Sequence, residues 1–356
     1  MKHVVPLQVP APLTVLCADI GGTNFRLACI EVAHGEAHLL HRGDCSTSDI
    51  TDPERYFTSR LVEWSQKTGK HIDALSIAIA GPVIDGIGRM TNAHLEFDRK
   101  RLEAATGLPV VILNDLAAIS WGTAMLDHDD KNAVLTLNGN HSIQSPSETH
   151  DVRTLVIAPG TGLGVSTMVR TRHDWIVLDM EAGHTPFVPE TSDEADFLQH
   201  LRPRFPNIPG WEQFVSGQGI ENLYLYYQCC HADTDTSAML EIEHTPWGKR
   251  GALISKYSAS DPHCASIMRA FASMLSRFAS YLAISLLPRD GLYLAGGIPA
   301  HNIAWLVDDD LFLKGFVKNY LPALSQLLST IPVRVVLDPE VGLYGAALAY
   351  TVESTR

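Results

Sequence analysis

The stretch Cys17–Val32 reads CADIGGTNFRLACIEV, and it decides the fold because a glycine turn separates two strand-like runs. A dinucleotide-binding motif of the GxGxxG type would need three spaced glycines followed by a helix. Here Gly21 and Gly22 stand side by side, and the residues from Phe25 to Val32 are rich in strand formers. The stretch therefore predicts a strand, a tight turn and a second strand.

The residues of this turn are also suited to holding an anion. Glycines can adopt positive φ and let backbone amides approach a ligand, while Thr23 and Asn24 add side-chain donors. A phosphate-holding hairpin is the functional interpretation. A Gly-Gly turn that only reverses the chain is the alternative, and this segment alone favours neither.

Composition narrows the classes of protein and partner. A chain of 356 residues favours two domains, and 46% hydrophobic with 19% charged residues is typical of a soluble globular protein. The net charge of -13 disfavours nucleic acid as a partner, because phosphate-backbone binding uses a basic surface. Small neutral substrates remain compatible, as does a nucleotide whose charge is met by backbone amides and a metal ion.

The six cysteines show neither metal-ligand spacing nor a CxxC pair. Cys17 and Cys29 lie in apolar strand-like runs, which predicts buried, reduced thiols in a cytosolic protein. Cys229 and Cys230, followed by His231, are interpreted as packing residues at a helix end rather than as metal ligands.

No targeting or membrane segment is predicted. Pro6, Pro10 and Pro12 interrupt the N-terminal apolar run, so it does not form a secretory signal. The most apolar helical stretch, Ala270–Leu287, contains Arg277 and several serines and is not expected to span a membrane. The last three residues, STR, differ from the Ser-Lys-Leu peroxisomal targeting signal.

Helical and strand-like segments alternate along the first third of the chain. Helices are predicted over Pro53–Lys70 and Arg99–Thr106, with buried strands over Ala74–Ala80 and Val110–Leu113 and a loop that contains Asn92 and His94. This alternation predicts an α/β domain with a mixed sheet.

Two further glycine turns repeat the opening plan. They read VIAPGTGLGVS and GLYLAGGI, and the second follows the long helix predicted over Ala270–Leu287. The repetition predicts two related halves, each of which forms one side of a cleft. Between them, Asp127–Arg153 is expected to be an irregular polar excursion with a hairpin turn at Asn138-Gly139.

Candidate site residues follow the strands. Asn114 and Asp115 stand where a buried strand ends and a helix begins, which is where open α/β sheets expose reactive groups. The helix dipole favours an ionised carboxylate there, although helix capping alone would also explain the pair. Glu181 and His184 lie close together without zinc-ligand partners, which favours hydrogen bonds to a polyhydroxy ligand over a metal. Glu212 precedes a turn into a helix, where a solvated first-turn glutamate is the alternative.

Taken together, the motifs resemble those of bacterial-type glucokinases, within the actin, hexokinase and Hsp70 ATPase superfamily. The resemblance covers nearly the whole chain, with the motifs in the family's order. They are DIGGTNFRLA, IAGPV, TNAHLEF, LNDLAA, APGTGLGV, EAGHTPF, SGQGIENLY, LAGGI and GLYGAA.

The resemblance implies a role for each matching residue. Asp115 matches the catalytic base, and Asp19 resembles the aspartate that holds the nucleotide's Mg²⁺ through water. The sugar hydroxyls would be bound by Asn114, Asp115, Glu181, His184 and Glu212. The nucleotide would be bound by two phosphate loops and an adenosine motif, made of Gly21, Gly22, Thr23 and Asn24, of Gly160, Thr161, Gly162 and Gly164, and of Gly296 and Gly297.

The resemblance also implies a fold and an activity. The fold would be a two-domain, RNase H-like α/β fold of the actin-like ATPases with an interdomain cleft. Its small domain would take in residues 1–122 and 333–356, and its large domain residues 123–332. The activity would be ATP-dependent phosphorylation of the 6-hydroxyl of D-glucose to glucose 6-phosphate, the entry step of glycolysis, by a cytoplasmic homodimer.

Two departures and three competing functions accompany this expectation. Ala182 replaces a usual glycine, and the excursion over Asp127–Arg153 is longer than expected. A CxCGxxGC zinc cluster does not follow His184, which favours the zinc-free glucokinases over the repressor, open reading frame and kinase (ROK) family.

The competing functions are a kinase for another hexose or an amino sugar, a sugar sensor and an ATPase. The sensor would need a helix-turn-helix, for which fewer than twenty residues precede Asp19, and an ATPase would have little use for the sugar-binding set.

Overall fold

The structure is a computed structural model that describes residues 12–22, 24–34, 36–90, 94–139, 151–171, 174–230 and 236–354. Thr23, Asn92 and His231 lie outside these residues, as do residues 140–150 of the predicted excursion. The side chain of Asn24 is likewise outside the description.

The strands and helices are numbered in chain order. The strands are β1 (Leu13–Ile20), β2 (Asn24–Ala33), β3 (Glu36–Ser46), β4 (Ala74–Ile79), β5 (Val83–Ile84), β6 (Ile87–Arg89), β7 (Glu96–Asp98), β8 (Val110–Asn114), β9 (Val134–Thr136), β10 (Val152–Pro159), β11 (Leu163–Arg170), β12 (Trp175–Met180), β13 (Gly291–Leu294) and β14 (Val333–Val336). The helices are α1 (Pro53–Thr68), α2 (Arg99–Thr106), α3 (Asp115–Thr123), α4 (Ser192–Leu201), α5 (Gly217–Cys230), α6 (Ser237–Glu243), α7 (Arg250–Tyr257), α8 (Pro262–Leu286), α9 (Gly297–His301), α10 (Ile303–Val307), α11 (Leu311–Val317), α12 (Pro322–Ser329) and α13 (Val341–Ser354).

The first sheet has the strand order β3-β2-β1-β4-β8. β1 and β2 form the predicted strand-turn-strand unit and pair antiparallel, whereas β4 and β8 continue the sheet in parallel. Alternate residues of β1 face opposite layers, as the two-residue period of a strand requires. Leu16 belongs to the core under α1 and α2, and Val15 belongs to the core that α3 and α13 cover.

The second sheet has the order β12-β11-β10-β13-β14-β9. Its first five strands repeat the plan of the first sheet, with an antiparallel β10-β11 hairpin flanked by parallel β13 and β14. The prediction of two related halves is therefore confirmed at the level of strand order. A small sheet of β5, β6 and β7 stands beside the first.

Two segments, β14 and α8, differ from the expectation based on the sequence. The strand that starts at Val333 pairs with β13 and β9, so it lies in the second sheet. The chain returns to the first sheet with α13, which packs on β1 and β4, so β14 does not join the first sheet as the expected small domain would require. The long helix α8 starts at Pro262 rather than Ala270, because Asp261 caps it by accepting hydrogen bonds from the backbone amides of His263 and Cys264.

Part of the predicted irregular excursion is a strand. β9 pairs antiparallel with β14, and the side chain of Asn138 fixes this edge by bonding to the carbonyl of Ile331 at 2.7 Å and the amide of Val333 at 2.9 Å. The Asn138-Gly139 turn therefore does not join β9 to β10 in a hairpin, since β13 and β14 separate those two strands.

Helices α3 and α13 cross at glycines. A Cβ atom on Gly345 would lie 1.8 Å from the carbonyl oxygen of Ala118, and one on Gly122 would lie 2.1 Å from that of Val341. Only glycine permits so close an approach of two backbones. This contact fixes the helix that begins at Asp115 against the helix that ends the chain.

Cysteine burial agrees in part with expectation. All six cysteines are free, and Cys17, Cys29 and Cys264 are buried. Cys229 and Cys230 are exposed, so the interpretation of these two as packing residues is wrong: they form the last turn of α5, beyond its buried face. Within the described part of the chain, none of the helices combines the length and the hydrophobicity needed to cross a membrane.

Candidate active site

Asp115 is the first residue of α3 and follows β8 directly. Its Oδ1 atom accepts a hydrogen bond from the backbone amide of Leu116 at 2.9 Å, which fixes the carboxylate at the helix N-terminus. Because β8 is parallel to β4 and β4 to β1, the carboxyl ends of these strands lie at one edge of the sheet. Asp115 and Asp19, near the end of β1, are thereby brought close together.

The electrostatic surroundings of Asp115 favour its neutral form. Its pKa is raised to about 7, mainly by burial, then by the negative charge of Asp19, with a smaller effect of Asp179 in the same direction. The backbone amides of Leu116 and of Asp115 itself oppose the shift. A carboxyl group that titrates near neutral pH can accept a proton with useful driving force while about half of it is ionised at pH 7.

Asp19 is held in place from two sides. Its Oδ2 atom accepts a hydrogen bond from Arg26 Nη2 at 2.6 Å, and Arg26 also donates to the carbonyl oxygen of Pro339. A Cβ on Gly342 would lie 3.4 Å from the same Oδ2 atom, so the start of α13 adjoins the carboxylate. Asp19 therefore lies where β1, β2 and the C-terminal helix meet.

Asn114 acts as the cap of α3. Its Oδ1 accepts the amides of Leu116 and Ala117 at 2.8 and 3.3 Å, and its Nδ2 donates to the carbonyl of Gly81 at 3.1 Å. The capping alternative raised from the sequence is thus what the structure shows for this side chain. Its sugar-binding role stays a prediction.

The second glycine turn connects the two halves of the site. The amide of Gly160 bonds to the carbonyl of Gly162 at 2.8 Å, which closes the turn. A Cβ on Gly164 would lie 2.6 Å from the side chain of Leu116, so α3 packs directly against the start of β11. The residue after Asp115 therefore touches the strand that follows this loop.

Glu212 is fixed to the same turn. Its Oε2 atom accepts a hydrogen bond from the amide of Leu163 at 3.0 Å, and a Cβ on Gly162 would lie 2.6 Å from that oxygen. The alternative of a solvated first-turn glutamate is wrong. Glu212 lies in the short 3-10 turn Trp211–Gln213, before α5, with its carboxylate against the loop.

Glu181 and His184 lie on an adjacent loop. His184 Nε2 is 3.5 Å from Glu181 Oε2, and the two side chains are 64% and 89% exposed for His184 and Glu181 respectively. The amide of Trp211 bonds to the carbonyl of Thr185 at 3.0 Å, which holds this loop beside the turn of Glu212. Three of the five residues predicted to bind hydroxyls, Glu181, His184 and Glu212, therefore lie on adjoining loops, and the paired side chains of Glu181 and His184 are exposed to solvent.

Two cavities adjoin these groups. One of about 600 Å³ is lined by the turn at Gly160 and Thr161, the N-terminus of α5 at Gly217 and Gln218, and Gly297. Another, of about 420 Å³, lies between Asp19 on one side and Gly296, Gly297 and Gly342 on the other. Gly297 thus separates a space beside Asp19 from a space beside the second glycine turn.

The first glycine turn is described only in part. Gly21 lines a third cavity, of about 720 Å³, together with Asp19 and Arg26, and its carbonyl accepts a hydrogen bond from Thr47 Oγ1 at 2.8 Å. Gly22 is exposed at the tip of the turn, and Asn24 begins β2. Thr23, which was predicted to be a hydrogen-bond donor, lies outside the described residues.

Sequence reasoning missed Arg26, Asp179 and Gly342. Arg26 lies inside the DIGGTNFRLA motif and Gly342 inside GLYGAA, so motif membership was a usable signal for both. Asp179 carried no such signal. It acts on Asp115 because β12 and α3 pack together, although 64 positions separate the two residues in the chain (179 − 115).

The family model described as Glucokinase matches residues 16–353. The chain belongs to the glucokinase family. It is 30% identical to a glucokinase of Nostoc sp. (strain PCC 7120) over 94% of this chain and 98% of the relative. It is 29% identical to a glucokinase of Sinorhizobium medicae over 94% of this chain and 91% of that relative.

Solved structures of glucokinases share the fold. One from an Antarctic psychrotroph superposes with a TM-score of 0.75 at 25% identity, covering 98% of this chain and all of the other. A ROK-family glucokinase from Streptomyces griseus, solved with glucose and AMPPNP, gives a TM-score of 0.60 at 18% identity over 94% of this chain and 98% of the other. The predicted α/β fold of the actin-like ATPases is confirmed.

Proposed function

We propose that this member of the glucokinase family transfers the terminal phosphoryl group of ATP to the 6-hydroxyl of D-glucose. One observation carries the proposal: a carboxyl group with a pKa of about 7 stands at the strand edge where the two halves of the molecule meet. Asp19, a phosphate-site candidate, lies close enough to raise the pKa of this carboxyl group. The second glycine turn holds Glu212, a hydroxyl-binding candidate, and is followed by the strand that α3 contacts.

Asp115 is the proposed base. Phosphoryl transfer passes through a loose transition state, so the enzyme mainly positions the nucleophile and neutralises charge. The amides at the start of α3 hold the carboxylate in one orientation, and Asp115 accepts the proton of the sugar hydroxyl as the oxygen attacks phosphorus. Protonation neutralises the Asp115 carboxylate, which removes its electrostatic repulsion with Asp19.

The nucleotide is proposed to occupy the two cavities that meet at Gly297. Thr161 and Gln218, at the N-terminus of α5, line the larger cavity and would face its phosphates, because helix N-termini and glycine turns present amides to anions. The amides of Gly160 and Gly217 are used within the protein, by the carbonyls of Gly162 and Gly160. A Cβ on Gly160 would point into open space, so the absence of a side chain leaves room for a ligand at the turn.

Asp19 fits the predicted water-mediated contact to Mg²⁺. Its carboxylate is an oxygen ligand of the kind that Mg²⁺ prefers, and it borders the cavity shared with Gly296 and Gly297. Bound Mg²⁺ would neutralise charge on the phosphates during transfer. Arg26 would keep the carboxylate oriented toward that space.

The sugar hydroxyls are proposed to bind Asp115, Glu181, His184 and Glu212, with Asn114 adjoining them. Glu212 keeps one carboxylate oxygen on the amide of Leu163, and a carboxylate has acceptor capacity for hydroxyls beyond that bond. We further propose the cytoplasmic location, the homodimer and the two domains that the family resemblance implies, a small one of residues 1–122 and 333–356 and a large one of residues 123–332. Because β14 lies in the second sheet, we place the return of the chain to the small domain at α13.

The test is a coupled assay of ADP release with ATP, Mg²⁺ and a panel of sugars beside a sugar-free control. Release that depends on glucose and exceeds that with mannose, fructose and N-acetylglucosamine supports the proposal. Preference for another sugar would favour the competing hexose or amino-sugar kinase. Equal release with and without sugar would show an ATPase and contradict the proposal.

A further inference from the structure

The last turns of α4 and α5 bring three metal-ligating side chains together. Nitrogen of His200 and the sulfurs of Cys229 and Cys230 all lie within 4.8 Å of one another. Neither the site described above nor the proposed reaction uses any of the three. The cluster also lies on a different segment from the zinc motif that other kinases carry just after the position of His184.

The scaffold under this cluster is well packed. The rings of Phe197 and Tyr226 have centroids 5.2 Å apart, and Tyr226 donates a hydrogen bond to Asp193 Oδ1 at 2.7 Å. His200 follows Phe197 by three residues, and Cys229 and Cys230 follow Tyr226 by three and four. Side chains spaced in this way lie on one helix face, so the packed pair places the three donors on neighbouring turns.

The imidazole has an unsatisfied nitrogen. His200 Nε2 is buried and has no hydrogen-bond partner among the described residues. A buried nitrogen of this kind costs free energy unless something binds it. Both thiols are exposed, so an ion could reach the cluster from solvent.

We propose that His200, Cys229 and Cys230 form a binding site for a thiophilic divalent cation, with Zn²⁺ as the ion that fits best. Tetrahedral Zn²⁺ takes Cys sulfur at about 2.3 Å and His nitrogen at about 2.0 Å, which places neighbouring ligand atoms roughly 3.5–3.8 Å apart. The observed separations of up to 4.8 Å need close by only about 1 Å, within the freedom of the cysteine χ1 torsions.

Binding is balanced by proton release. The two thiols lose their protons to solvent, and the ion is held by two thiolates and one neutral imidazole, which leaves one position for water. The ion would join the end of α4 to the end of α5, a link that spans two helices of the second half.

The test uses the full chain, reduced with a phosphine and freed of metal, and titrated with Co²⁺ as a spectroscopic probe. The proposal predicts one equivalent of bound Co²⁺, with a thiolate-to-cobalt charge-transfer band and visible bands of tetrahedral intensity that Zn²⁺ removes. Cys229→Ser, Cys230→Ser and His200→Ala should each weaken binding by about tenfold or more. His71→Ala and Cys45→Ser, which leave the cluster intact, should bind as the wild type does.

A second readout covers variants that fold poorly. Zn²⁺ should raise the melting temperature of the wild type and of His71→Ala but not of the Cys229→Ser/Cys230→Ser double variant, with circular dichroism confirming that each is folded. Absence of the charge-transfer band, equal binding by all variants, or a Cys229–Cys230 disulfide that resists phosphine would overturn the proposal. Because none of these readouts is kinase activity, the result stands apart from the proposed function.

Discussion

At the scale of single residues, the proposed reaction depends on the protonation state of Asp115. Burial is the main cause of its raised pKa, and the carboxylates of Asp19 and Asp179 add to it. A group of this kind has both a kinetic and a thermodynamic signature, because the ionised form that the reaction needs is the one that the surroundings disfavour.

The kinetic signature is an acid limb in the pH profile. In the free enzyme, kcat/KM should fall about tenfold per pH unit below a midpoint near pH 7, as Asp115 becomes protonated. Asp179→Asn removes a negative charge that raises the pKa of Asp115, so the midpoint should move to lower pH by a few tenths of a unit.

Asp129→Asn is the matched control, because it makes the same charge change at an exposed position. Its midpoint should coincide with that of the wild type. A wild-type profile that is flat between about pH 5 and 8 would mean that Asp115 does not control the rate.

Two alanine substitutions in the second glycine turn should affect the binding of the sugar and of the nucleotide separately. In Gly162→Ala the new methyl group would meet Glu212 Oε2, so the carboxylate would have to leave the amide of Leu163. We expect KM for glucose to rise about tenfold, the effect of ~1.4 kcal/mol. In Gly160→Ala the methyl group enters the open space that the nucleotide is proposed to fill, so KM for ATP should rise instead.

Steady-state kinetics with each substrate varied in turn measure both effects. Equal changes in the two KM values in both variants would contradict the assignment of Glu212 to the sugar and of Gly160 to the nucleotide.

At the scale of elements, the position of Asp115 depends on the crossing of α3 and α13. Gly345→Ala would place a methyl group 1.8 Å from the carbonyl of Ala118, so the helices must separate. Overpacking of this kind costs about 1–3 kcal/mol and can cost more when backbone atoms collide. We expect both a lower stability to urea and a loss of turnover, because α3 carries the base.

Gly251→Ala is the control for the general effect of alanine in a helix. Its Cβ would lie 3.7 Å from the nearest atom, an ordinary contact, so stability should stay the same or rise by up to about 1 kcal/mol. Urea unfolding of both variants decides the point. A Gly345→Ala variant as stable as the wild type would show that the crossing is less tight than described.

Local patterns in the sequence predicted many of the strands, turns and helices, but they did not predict contacts between segments that are far apart in the chain. The turn at Gly21-Gly22 and the strands around it have local signals, and both formed as expected. The pairing of β9 with β14 joins segments about two hundred residues apart, so no local pattern indicated it. The same holds for Asp179 beside Asp115 and for His200 beside Cys229, which meet only through packing of whole elements.

At the scale of the whole molecule, the raised pKa of Asp115 is a cost to stability. Its pKa is about 7 in the folded chain and near 3.8 when unfolded. Between these values the folded state holds a proton that the unfolded state has lost, so this carboxyl group makes the free energy of unfolding fall as pH rises from about 4 to 7.

Asp115→Asn should therefore be more stable than the wild type at pH 8, by up to a few kcal/mol, and about equal near pH 4. The amide keeps an oxygen that can accept the bond from Leu116, so the helix start is preserved. Urea midpoints at the two pH values measure the difference. A variant less stable than the wild type at pH 8 would contradict the burial of an ionised carboxylate here.

Turnover and glucose affinity of Asp115→Asn, measured side by side, decide whether Asp115 is the base. Calorimetry should find glucose binding within a few fold of wild type, because the amide can still meet a hydroxyl. The kcat should fall by about 10²–10⁴, the contribution of a general base. Near-normal turnover would contradict the role of Asp115, and loss of glucose binding together with turnover would show that the residue holds the sugar rather than accepting its proton.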